Sequence, residues 1–149
     1  MSRLFFGKRV SKLPYQLAFT IMLGVGAFYS SVAAATDVPI VLTGADETPP
    51  VTTNASGSGT ITINDDKTVS GSVKATGVVG TVAHIHVGAV GQAGTAIITL
   101  VKTGEDEWSV PPGAKLTDSQ YGSFKAGNLY VNVHSEAHKG GEIRGQLKS

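Results

Sequence analysis

All four histidines of this 149-residue chain fall inside two short phrases, Ala83-His84-Ile85-His86-Val87-Gly88 and Leu129-Tyr130-Val131-Asn132-Val133-His134-Ser135-Glu136-Ala137-His138. If each phrase is a β-strand, side chains two apart share a face, which sets His84 beside His86 and lines up Tyr130, Asn132 and His134. Two imidazoles at such spacing sit roughly 6.5 to 7 Å apart at the backbone, close enough to converge on one ion about 2 Å from each nitrogen. His134, on a second strand with the same parity, would supply a third ligand. A set of imidazoles without thiolates suits copper, zinc or nickel rather than calcium, because hard cations want oxygen. The candidate metal ligands are therefore His84, His86 and His134, with copper or zinc as the cofactor in view. The plain reading stands beside this one: a histidine pair on a sheet face that is simply solvated or hydrogen-bonded.

Other polar groups gather around the same phrases. Asn132 shares the His134 face, and His138 follows in a loop with Lys139 and two glycines. Glu142, Arg144 and Gln146 alternate with Ile143 and Leu147 in the next stretch, so they also share a face. His138, Asn132, Glu142 and Arg144 are thus further ligand-face candidates. For Glu142 and Arg144 a structural ion pair is the ordinary alternative, with Arg144 also able to bridge to Glu47 or to the histidine face. Catalytic residues are not evident. There is no cysteine, no Gly-X-Ser-X-Gly phrase and no His-Glu-X-X-His helix, so a hydrolase reading has nothing specific under it.

The elements that must position these residues are short β-rich segments punctuated by Gly, Asn, Asp and Pro. The expected strands are 38–42, 59–63, 68–75, 81–87, 95–102, 128–134 and 141–147. Asn64-Asp65-Asp66-Lys67 is suited to a tight hairpin turn. The glycines of the Gly88–Gly94 stretch match no phosphate-binding motif and read as a hairpin connection. One short helix is expected over 118–125, with Thr117 and Gln120 spaced as a capping box and Gly127 as its left-handed stop. Tyr121 and Phe124 would be its core-facing stripe. Trp108, beside Glu105-Asp106-Glu107, reads as a loop aromatic folded back over one end of the core. The fold class is all-β: an antiparallel β-sandwich or barrel of about seven strands with one short helix.

Residues 1–35 read as a cleaved secretory signal peptide. Arg3, Lys8, Arg9 and Lys12 form a basic start, Leu17 to Val32 an apolar run, and Ala33-Ala34-Ala35 a small-residue cleavage pattern. At 16 residues the run is short for a membrane span of about 20. Membrane contact is expected only during export, and the expected location is secreted, periplasmic or extracellular. The leader holds four of the twelve cations and no acid, leaving eight Lys and Arg against eleven Asp and Glu, a net of −3 for 36–149. That balance removes the electrostatic rationale for a nucleic-acid partner. Without cysteine, stability must come from a packed core, and the remaining length fits one domain.

Four phrases in this order resemble the CHRD domain, the module named from chordin: Leu42-Thr43-Gly44-Ala45-Asp46-Glu47-Thr48-Pro49-Pro50-Val51, Ala83-His84-Ile85-His86, Gly127 to Ser135, and Gly140-Gly141-Glu142-Ile143-Arg144-Gly145-Gln146-Leu147. Thr48 stands where the family often has valine, and His138-Lys139 where a proline is frequent. The resemblance implies a sandwich-like extracellular module spanning 36–149. The His-X-His strand is also faintly similar to the copper-binding strand of copper/zinc superoxide dismutases, but this chain has no cysteine pair and too few histidines for a second metal site. The leading expectation is a non-enzymatic exported binding protein that takes a metal ion through its histidine face. The alternatives are a structural or protein-interaction module of the cell envelope or matrix with an extracellular protein as partner, and, behind both, a copper-dependent redox enzyme.

Overall fold

A computed structural model describes residues 34–149 of the chain, together with Ser2 and Gly7. The expected leader therefore falls almost wholly outside the described residues. The described chain forms β1 (Ala35–Thr43), a 3-10 turn (Gly44–Asp46), β2 (Ser56–Asn64), β3 (Val69–Thr76), β4 (Gly80–Val87), β5 (Thr95–Thr99), β6 (Val101–Lys102), β7 (Glu107–Ser109), α1 (Asp118–Lys125), β8 (Leu129–Ser135) and β9 (Ile143–Leu147). The strands make one antiparallel sheet in the order β5-β4-β8-β9-β1-β2-β3-β7-β6.

The two edge strands of that sheet, β5 and β6, are separated in the chain by the single residue Leu100. One residue cannot span an open nine-stranded sheet, so the sheet has to curl until its edges meet. The Leu100 N–H donates to the Ala83 carbonyl of β4 at 2.9 Å, and Lys102 Nζ donates to the Gly80 carbonyl at 3.1 Å. The result is a nearly closed barrel. Alternation sends Leu42, Ile61, Val73, Ile85, Leu129, Val131, Val133, Ile143 and Leu147 into one apolar core, each at most 1 % exposed.

The strand count is higher than the sequence suggests. The expected 95–102 strand breaks at Leu100, where the backbone leaves β4 as partner and joins β7 instead. Trp108 is not in a loop: it lies in β7, opposite Val73 and Lys102, and is 1 % exposed. The three acids before it hid a strand whose single inward side chain is a large one. Gly80 lies against the indole, and a Cβ there would run into it.

The local turn chemistry follows the expected pattern. Lys67 N–H bonds to the Asn64 carbonyl at 2.8 Å, and Lys67, at φ 71°, takes the left-handed position of the turn. At α1 both capping-box bonds form, Gln120 N–H to Thr117 Oγ1 at 3.2 Å and Thr117 N–H to Gln120 Oε1 at 2.8 Å, and Gly127 at φ 71° ends the helix. Phe124 is fully buried, while Tyr121 packs at the core's edge and donates to Asp65 at 3.1 Å.

Trp108 ties β7, the neighbour of the β6 edge, to the core of the barrel. Trp108→Ala is expected to cost about 3 to 5 kcal/mol of folding stability, measured by urea denaturation; a loss below about 1 kcal/mol would contradict this role for the indole.

Candidate metal centre

Strand β8 is buried along all seven of its residues. Its inner side chains, Leu129, Val131 and Val133, belong to the apolar core. Its outer ones, Tyr130, Asn132 and His134, are 3 %, 2 % and 8 % exposed, so the polar face lies beneath loops and not in water. Three segments reach it: the Gly88–Gly94 loop, the stretch carrying Glu47, Thr48 and Thr53, and the His138–Glu142 turn.

Register brings the histidines together. β4 pairs with β8 so that His84 faces Asn132, His86 faces Tyr130 and Val82 faces His134. His134 is therefore the diagonal neighbour of His84, within reach of two imidazoles. His84 Nδ1 and His134 Nε2 are 3.0 Å apart, and one candidate ligand atom from each of His84, His86 and His134 lies within 4.8 Å of the others. Two nitrogens about 2.1 Å from a tetrahedral ion are about 3.4 Å apart, so modest side-chain rotation closes the set.

Hydrogen bonds decide which nitrogens are free. His86 Nδ1 is 2.9 Å from the Gly94 carbonyl and His134 Nδ1 is 2.9 Å from the Lys139 carbonyl. A carbonyl only accepts, so each Nδ1 carries a proton, and in the neutral ring Nε2 keeps its lone pair. Backbone carbonyls on the non-ligating nitrogens are the usual outer support of metal-bound histidine. Without metal, His84 Nδ1–H donates to His134 Nε2, while His86 Nε2 is buried without a hydrogen-bond partner. Burial and the neighbouring imidazoles hold His84 below the ordinary value of 6.5, and burial does the same to His86 against the opposing pull of the Gly94 carbonyl. Both are neutral at pH 7 and competent as ligands.

The other candidates divide. His138 is half-buried and does not join the converging nitrogens: its N–H donates to Ser135 Oγ at 3.2 Å and its carbonyl accepts from Gly141 at 3.0 Å. The expected Glu142–Arg144 ion pair does not form. Glu142 sits just before β9, and its carboxylate accepts from Thr53 Oγ1 at 2.7 Å and Ser135 Oγ at 2.5 Å. Burial pushes that carboxyl up, but these bonds hold it below the usual range. Arg144, 1 % exposed, instead covers the Tyr130 ring at 3.5 Å and binds neutral oxygens, among them Thr48 Oγ1 beside Glu47. Asn132 stands between Glu47 and His86, near both, yet its Oδ1, Glu47 Oε1 and His86 Nε2 all lack a well-formed hydrogen bond.

Two residues take places at the site that the sequence reading did not assign to them. Glu47 is 6 % exposed and burial raises its pKa; it reaches Asn132 only because Gly141, at φ 130°, has no Cβ to block it. Tyr130 stacks on His86 with ring centroids 4.7 Å apart and planes 7° from parallel. The face parity of Tyr130 was legible, but its stacking depends on the register between β4 and β8.

A nearly closed antiparallel barrel with a buried polar face over β4, β8 and β9 defines an all-β module with a site on the outside of its sheet. The chain belongs to the CHRD domain family, whose model matches residues 38–147. No curated protein and no solved structure matches it. Family membership supports the role of a binding module.

The depressed pKa values have a sign. Because His84 and His86 titrate lower in the folded protein than at 6.5 in the unfolded one, the unfolded state takes up protons first. Their stabilisation is complete above 6.5 and is lost as pH falls from there through their lowered folded values. Glu47 acts in the opposite sense, its contribution lost as pH rises through its raised pKa. The metal-free protein is therefore expected to show a lower urea midpoint at about pH 5.5 than at about pH 7.5, with a smaller difference in a His84→Gln/His86→Gln variant. Equal pH dependence in the two proteins would contradict buried, neutral histidines.

Proposed function

We propose that this CHRD domain is an exported binding module whose His84, His86 and His134 imidazoles hold a transition-metal ion, copper or zinc. The single observation that carries the reading is the division of labour on the rings: the Nδ1 atoms of His86 and His134 are committed to backbone carbonyls, which leaves each Nε2 its lone pair, accepting only from His84 Nδ1 at His134 and unpartnered at His86. Histidines that only braced the fold would have no need to leave a lone pair buried and unpartnered, as His86 Nε2 is. Three imidazole nitrogens with no thiolate suit Cu(II) or Zn(II), and availability decides between them as much as affinity does. The basic, apolar and small-residue pattern of 1–35 supports export.

The test is metal analysis of the purified protein and titration with Cu(II) and Zn(II), with the melting temperature read at each ratio, beside a His84→Ala/His86→Ala variant. The wild type is expected to bind one ion and gain about 2.7 kcal/mol when free metal exceeds Kd a hundredfold; the variant is expected to gain nothing. An unchanged melting temperature in the wild type would overturn the metal reading and leave a module that recognises an extracellular protein.

A further inference from the structure

Arg144 is almost fully buried, and among the described residues it forms no ion pair. Burying a guanidinium whose direct acceptors are all neutral is costly unless its donors are well used. Its Nη1 donates to the Gln92 carbonyl at 2.9 Å and to Thr48 Oγ1 at 3.3 Å; its Nη2 donates to the Ala89 carbonyl at 2.8 Å and to Gln146 Oε1 at 3.0 Å. Two of these acceptors belong to the Gly88–Gly94 loop. Gln146, held by Arg144, takes a third point on that loop by donating to the Gly88 carbonyl at 2.8 Å. Tyr130, under the guanidinium, takes a fourth: its hydroxyl accepts from the Gly94 N–H at 3.1 Å.

The far end of this loop meets the candidate metal centre. The Gly94 carbonyl is the partner of His86 Nδ1, and the Tyr130 ring covers the face of the same imidazole. Gly94 sits so tightly on Val87 that a Cβ would run into the Val87 carbonyl, so its placement leaves little freedom. In a neutral imidazole, the hydrogen bond made by one nitrogen decides which nitrogen keeps the lone pair. We infer that Arg144 is a positioning residue for His86: by clamping the Gly88–Gly94 loop and the Tyr130 ring it fixes the imidazole with its proton on Nδ1 and presents Nε2 to His84 and His134. Lysine cannot replace it, because an ammonium has no planar fork to span two carbonyls while lying flat on a ring. The functional weight of this inference rests on the metal reading above; the tautomer itself does not.

The experiment is nitrogen NMR of the histidine side chains in the metal-free protein, for the wild type, Arg144→Lys, Tyr130→Phe and a control, Thr53→Val, which cuts a bond to Glu142 at the other end of the polar layer. In the wild type His86 is expected as a single tautomer with Nδ1 protonated. Arg144→Lys and Tyr130→Phe are expected to populate the Nε2-protonated form and to lose roughly tenfold or more in Zn(II) affinity. Thr53→Val is expected to leave the His86 signals in place even where the melting temperature falls. Folded Arg144→Lys and Tyr130→Phe proteins with His86 unchanged would overturn the inference, and if Arg144→Lys does not fold, Tyr130→Phe decides alone. A locked tautomer in a wild type that binds no zinc would count against the metal reading while leaving Arg144 as the residue that positions His86.

Discussion

Everything at the site follows from β8 being buried on both faces. A strand inside a barrel wall ordinarily shows one face to the core and the other to water. Here the outer face carries Tyr130, Asn132 and His134 under three covering segments, so polar groups must find partners among themselves and in the loops. Arg144, Gln146, Glu142 and Ser135 all bond toward those coverings. The protein therefore has two interiors, an apolar one inside the barrel and a polar one outside β4, β8 and β9.

The two interiors depend on each other through backbone register. The apolar side chains Ala83, Ile85, Val131, Val133 and Ile143 fix the pairing of β4, β8 and β9 by their need for burial, because a slip of one residue would turn every one of them outward. That same pairing sets His84 opposite Asn132 and diagonal to His134. The imidazoles are thus brought together by hydrophobic burial on the other side of the sheet. The loops then orient them, through carbonyls contributed by Gly94 and Lys139.

Much of this was legible in the sequence, for physical reasons. Period-two alternation placed the inward residues of β4, β8 and β9 and gave His84, His86 and His134 a common parity. The capping box of α1 and the turn at Asn64–Lys67 were visible because short-range hydrogen bonds decide both. What escaped were features set by distant parts of the chain. The break at Leu100 depends on barrel closure, and β7 is too short and too acidic to show a period. The expected Glu142–Arg144 pair assumed that neighbours on one face must meet; instead Glu142 is claimed by Thr53, 89 positions away in sequence, and Arg144 by carbonyls of the Gly88–Gly94 loop. Glu47 enters the polar interior only because Gly141 leaves room for it.

The proposed metal site requires three imidazoles to converge on one ion. X-ray absorption fine structure of the protein loaded with one equivalent of zinc tests it most directly, since ring scattering counts histidines and the first shell gives their distance. The expected result is three imidazole nitrogens at about 2.0 to 2.1 Å. A first shell of oxygen with one imidazole or none would contradict it, and would make the paired histidines part of the scaffold alone.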